Sequence, residues 1–170
     1  TKVDDNPQMA KILQEINNDF ENGGNLFANN ARIKYFDSLL VKNSNNYDAL
    51  YLKGIDLLRA GYSEEAVNIF HLLSNTDEKE LLQGGMNQNE IMKTHYYLGL
   101  SYLRIGEQEN CILNHTSASC IIPISKEGFH QKETGPRQAL TTFSKILEEQ
   151  PDELSARWLL NIAYMTLGEY

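Results

Sequence analysis

Several things are scarce in this chain, and each scarcity narrows what it does. There are 170 residues, with two cysteines, four prolines and one tryptophan. No apolar run approaches the roughly 20 residues that a membrane-crossing helix needs. Mean hydropathy is -0.45. Basic side chains are outnumbered, 15 Lys and Arg against 23 Asp and Glu, for a net charge of -8. That sign repels phosphate backbones and argues against a nucleic-acid partner. Gly23-Gly24 and Gly84-Gly85 lack the Lys-Ser/Thr that follows a phosphate loop. No Gly-x-Ser-x-Gly elbow is present. Thr1 to Asn6 is polar rather than charged then apolar, so no signal peptide is visible, and the absent initiator Met suggests a trimmed start. The expectation is a non-enzymatic chain that needs no cofactor.

What remains is enough to build a core. Hydrophobic residues make up 41% and charged residues 22%, the balance of a folded domain rather than a disordered tail. The apolar residues fall at helical spacing. Asn6 then Pro7 reads as a helix N-cap and first position. Met9, Ile12, Leu13, Ile16 and Phe20 follow, and Asn22-Gly23-Gly24-Asn25 stops the helix. A second stripe, Ile33, Phe36, Leu39 and Leu40, runs into the polar segment Lys42 to Asn46.

A pattern then recurs. Tyr47 to Gly61 contains Leu50, Gly54, Leu57 and Gly61, followed by Ala66 and Phe70. Met92 to Gly106 contains Leu98, Gly99, Tyr102 and Gly106. Leu154 to Gly168 contains Leu160, Asn161, Tyr164 and Gly168, and Ala139, Phe143 and Pro151 stand at Ala-x3-Phe-x7-Pro. This resembles the tetratricopeptide repeat, two helices with a small residue at their crossing and an Ala and a Phe filling the space between. Asn161 departs from the small-residue preference, so a wider crossing or a polar partner is expected there. Gly54 and Gly99 are 45 positions apart, and Gly99 and Asn161 are 62 apart. Against a plain repeat of roughly 34, about 11 and about 28 extra residues are implied.

The resemblance implies an all-α superhelix of helical hairpins with a loop-rich insertion. It divides the single domain 1–170 into N-terminal helices over 7–43, a repeat over 47–74, a repeat helix over 87–106, an insertion over 110–135 and helices over 136–168. The extra residues before the repeat helix lie around Leu81 to Ile91. Gly168-Glu169-Tyr170 reads as a turn leading into a further helix, so a fragment of a longer protein is expected.

Gly106 to His115, Ser119 to Ile124, Gly128-Phe129-His130 and Arg157 to Tyr170 carry a closer likeness. They are similar to the N-terminal region of bacterial proteins with FG-GAP/VCBS-type repeats and an ASPIC/UnbV segment, related to cartilage acidic protein. That resemblance implies an extracytoplasmic setting and a downstream β-propeller, and assigns no reaction.

Inside the insertion, Cys111, His115, Cys120 and His130 form C-x3-H-x4-C-x9-H. Thiolate and imidazole ligands hold Zn or Cu, but this spacing matches no standard zinc pattern. A disulfide between Cys111 and Cys120 is the plainer reading, contributing roughly 2–4 kcal/mol to a loop with little core of its own. Free thiols are the third. His71 and His95 read as packing residues, and the pairs Glu64-Glu65 and Glu148-Glu149 as solvated helix ends.

By the repeat resemblance, the first helices line a concave groove. Tyr51, Ile55, Leu58 and Arg59 would line it in one repeat, Tyr96, Leu100, Leu103 and Arg104 in the next, and Trp158, Ile162, Met165 and Thr166 in the last. The lining is apolar and aromatic. It lacks the Lys and Asn set that clamps a peptide carboxylate in some members of the family. The expected occupant is a protein or peptide partner, or the chain itself: its N-terminal helix, its insertion or a downstream domain.

Overall fold

The computed structural model describes residues 6–21, 27–112, 115–116, 118 and 121–170. Among these residues the chain is all-α, with eight α-helices and no strand. In order they are α1 (Pro7–Glu21), α2 (Asn29–Lys42), α3 (Tyr47–Ala60), α4 (Ser63–Ser74), α5 (Glu78–Gln83), α6 (Gln88–Glu107), α7 (Thr134–Glu149) and α8 (Leu154–Leu167). No helix among them is long and apolar enough to cross a membrane.

Local chemistry sets many of the helix ends. Asn6 Oδ1 accepts from the backbone N–H groups of Gln8 and Met9 at 3.1 and 3.2 Å. Asn46 caps α3 through the Ala49 N–H at 3.0 Å. Asn87 and Glu90 form a reciprocal capping box at the start of α6. Each bond satisfies a donor that the first helical turn leaves unpaired. Gly61 closes α3 at φ 88°, with the N–H of Tyr62 returning to the Leu57 carbonyl at 2.9 Å. Only glycine enters that left-handed region without a steric cost.

The helices pack in succession: α1 on α2, α2 on α3, α3 on α4, α4 on α6, α6 on α7 and α7 on α8. The short α5 sits beside α6, and Leu81 and Met86 from this region enter the core. Gly54 lies under the ring of Phe70 in the α3–α4 pair, and Gly99 lies under the ring of Phe143 in the α6–α7 pair. Gly106, further along α6, meets Pro136 at the start of α7, so these two helices run antiparallel. Ala66, Phe70, Ala139 and Phe143 are fully buried. Asn161 is exposed, with no described helix crossing it, so the expectation of a wide crossing or a polar partner is replaced by contact with solvent.

Two apolar clusters result. One joins α3, α4, α5 and α6 around Tyr51, Leu57 and Phe70; the other joins α6, α7 and α8 around Leu103, Phe143 and Ala163. Leu100 and Tyr102 of α6 pack against both. Polar burial is sparing. Asp56 is fully buried and accepts from Arg32 Nε at 2.7 Å, with Arg59 Nη1 3.7 Å from its other oxygen. A buried carboxylate needs such partners to offset its lost hydration.

Candidate functional site

The segment between α6 and α7 brings the site together. After Glu107 the backbone widens into a π-helical turn, Gln108–Ile112. Asn110, buried in that turn, holds the far end of the segment. Its Nδ2 donates to the carbonyls of Gly106 and Lys132 at 2.8 and 2.9 Å, and its Oδ1 accepts from the Lys132 N–H at 2.9 Å. Gln108 Nε2 donates to the Gly61 carbonyl at 2.7 Å, tying the turn to the end of α3.

The same segment is fastened to α8 and the residues beyond it. The His130 N–H donates to the Thr166 carbonyl at 2.8 Å. The Tyr170 hydroxyl donates to the Ile124 carbonyl at 2.9 Å. The Phe129 ring lies against Gly168, whose φ of 70° and lack of a side chain admit it. These contacts are spread over three regions of sequence, so the segment is held by tertiary structure rather than by regular structure of its own.

Between α6, α8 and this segment lies a recess of about 340 Å3. Leu100 and Leu103 form one wall, Trp158, Leu159 and Ile162 another, and Ile122 and Ile124 a third. Thr166, Cys111 and His130 complete the lining. Arg104 and Glu107 stand at the recess as an exposed ion pair bonded to each other. Trp158 and Ile122 remain largely exposed, whereas Leu103, Ile124 and Leu159 are buried. An apolar hollow bordered by an exposed indole and few polar groups suits capture of an apolar group.

Of the residues expected to line one groove, the structure brings Leu100, Leu103, Arg104, Trp158, Ile162 and Thr166 together. Tyr51 and Leu58 are both buried, at 4% and 7% exposure, and do not line this recess. Tyr51 sits edge-on to Phe70 and Tyr97, because α6 packs directly over the α3–α4 pair. Burial raises the Tyr51 phenol well above its ordinary value, with Tyr97 and Glu90 adding to the effect. Ile55 is half-buried against the same cluster, and Arg59 is exposed beside Asp56. Tyr96 lines a separate, more polar recess with Lys93, Gln150 and Glu153. Its phenol is also raised, first by burial, then by Tyr97 and Glu153. Met165 is half-buried and stands outside the recess lining.

His71 and His95, expected to pack, are exposed and share a shallow recess with Lys145 instead. The cysteine and histidine residues are only partly gathered. Cys111 Sγ lies 3.4 Å from His130 Nε2. His115 meets the Cys111 carbonyl through Nδ1 at 3.3 Å and is exposed. Cys120 lies outside the described residues, so the expected Cys111–Cys120 bridge does too. No disulfide is formed among the described residues, and no group of three or more potential metal ligands gathers among them. His130 is buried, and its Nδ1 has no hydrogen-bond partner among the described residues. Burial lowers its pKa below the ordinary imidazole value, and Glu107 opposes that shift.

Reading the residues alone misses Asn110, Ile124 and Phe129. Asn110 has no local signal, because its partners are 4 and 22 positions away. Phe129 and Ile124 lie in a stretch without helical spacing, so no period marks them as inward-facing. No protein-family model, no curated protein and no solved structure matches this chain. The functional reading therefore stands on the geometry of the recess and the sequence resemblances described above.

Proposed function

We propose that this chain is a non-enzymatic interaction module of the tetratricopeptide type, belonging to a secreted or cell-envelope protein. Its task is to hold an apolar side chain of a peptide, or of a further domain of the same protein, in the recess between α6 and α8. The observation that carries the reading is the apolar hollow of about 340 Å3 with exposed Trp158 at its edge. Burying one large apolar side chain there contributes roughly 1.5–3 kcal/mol, and an indole at the edge is a frequent anchor in protein interfaces. Arg104 and Glu107 neutralise each other, so they favour neither sign of ligand charge. The extracytoplasmic setting rests on the resemblance over Gly106 to Tyr170.

Trp158 is the only tryptophan in the chain, which makes its fluorescence a direct reporter. Titrating short peptides that differ only in one central side chain is expected to shift the emission to the blue for Phe, Leu and Trp, and not for Ser or Lys. Calorimetry should show the negative heat-capacity change of apolar burial. Ile162→Glu, which places a carboxylate in the wall, should remove both signals. Equal responses to apolar and polar peptides, or an unchanged response in Ile162→Glu, would defeat the proposal.

A further inference from the structure

A second hollow, of about 230 Å3, lies between α4, α6 and α7 and shares no residue with the apolar recess. Each of the three helices brings to its lining one group that carries, or can take up, a positive charge: His71 from α4, His95 from α6 and Lys145 from α7. No Asp or Glu lines it. Acidic residues outnumber basic ones 23 to 15 in the chain. Three such groups without a carboxylate therefore run against the charge of the molecule around them. Lys145 enters no ion pair among the described residues.

The hydroxyls at the hollow are already engaged. Ser74, Thr141 and Thr142 donate to the carbonyls of His71, Arg137 and Gln138 at 3.0, 3.0 and 2.8 Å. Asn75 Nδ2 donates to the His71 carbonyl at 2.7 Å and lies 3.4 Å from His71 Nδ1. The donors that a ligand would meet are thus the two imidazoles and the Lys145 ammonium. They come from three helices, which suits a group with several acceptor oxygens in three dimensions better than a planar carboxylate.

We propose that this hollow binds a tetrahedral dianion, a phosphate or sulfate group, through His71, His95 and Lys145. An imidazole becomes a cation as pH falls through roughly 8 to 5. A bound dianion offsets the repulsion among three cations, so its affinity rises as they form. Tyr102 of α6 also reaches the hollow. Glu78 of α5 and Glu149 of α7 line an adjoining hollow that His95 and Lys145 border too, and from that side they compete with the ligand. The inference goes beyond the apolar-recess reading, and because no residue is shared, either can fail while the other stands.

The test follows the ring-proton resonances of His71 and His95 in the whole chain as sulfate is added, against chloride at equal ionic strength. Sulfate keeps its charge over the range in which histidine titrates, so a pH dependence belongs to the protein. Saturable shifts of both rings are expected, with affinity at about pH 5.5 roughly tenfold or more above that at about pH 8. Lys145→Gln should weaken binding about tenfold at the lower pH. Lys93→Gln, the same charge change at an exposed lysine of another recess, should leave it unchanged. His71→Gln with His95→Gln should abolish the pH dependence. All four positions are exposed, so these variants should keep wild-type circular dichroism. Phosphoserine against inorganic phosphate then separates the sources: tighter binding of phosphoserine assigns the hollow to a phosphate carried on a larger molecule, and otherwise it takes the free ion. Shifts that chloride reproduces, equal weakening by Lys93→Gln, or a pH dependence that survives in the double histidine variant would each overturn the proposal.

Discussion

At Gly99 a hydrogen stands where any other residue would bring a carbon to 2.8 Å from the Phe143 ring. Alanine is the better helix former by about 1 kcal/mol, so an exposed Gly→Ala change in a helix is ordinarily stabilising. Here the ring is fully buried and closely packed, and forcing an extra methyl into such a site costs about 1–3 kcal/mol. The clash outweighs the propensity. Gly99→Ala is expected to lower stability by up to ~2 kcal/mol in urea unfolding. Combining it with Phe143→Leu should restore part of the loss, because the two changes act on one contact. Equal stability of Gly99→Ala and wild type would show that α6 and α7 adjust freely at this crossing. The spacing of Gly99, Ala139 and Phe143 made this contact legible in the sequence, because small and large residues at a helix crossing have a fixed relation to the helical period. Tyr51 shows the limit of that logic. Its helix and its turn of helix are readable, but whether α6 leaves it open or covers it depends on packing.

The connecting segment between α6 and α7 is stabilised in a different way from the helices it joins. Its described residues Asn110, Phe129 and His130 reach distant partners, and Tyr170 reaches back to it. His130 makes this dependence sensitive to pH. Its imidazole is buried and its pKa lies below the ordinary 6.5, so the unfolded chain takes up a proton more readily than the folded one. The stability linked to neutral His130 is therefore complete above ~6.5 and is lost as pH falls towards and through the lowered value. Wild-type urea midpoints should decline between about pH 7 and about pH 5 by more than those of His130→Gln, whose side chain does not titrate in that range. Identical slopes in the two proteins would remove His130 from the account. The segment's contacts were not legible in the sequence, because its apolar residues follow no period and Ile124 and Phe129 meet Tyr170 and Gly168, tens of positions along the chain.

Taken as a whole, the molecule is a row of helices in which each touches chiefly its neighbours, with two apolar clusters meeting on α6. Where helices touch chiefly their neighbours, stability is close to a sum over those interfaces, and cooperativity depends on the contacts that join one cluster to the next. Tyr102 packs against both clusters. Tyr102→Ala is expected to separate their unfolding, so that near-ultraviolet and far-ultraviolet circular dichroism no longer follow one urea transition. Coincident transitions in the variant would mean that Leu100 and the helix backbone suffice to couple the halves.

The all-α class, the positions of many helix ends and the small-against-large crossings were determined by the amino-acid order alone, whereas the short α5 was not. They depend on caps, glycine turns and a 3.6-residue period, all of which act over a few positions. The recess, the exposure of Trp158 and the approach of Cys111 to His130 were decided only by tertiary structure. Each depends on where a segment without periodicity comes to rest against α8, and that position is set by hydrogen bonds and ring contacts between residues tens of positions apart.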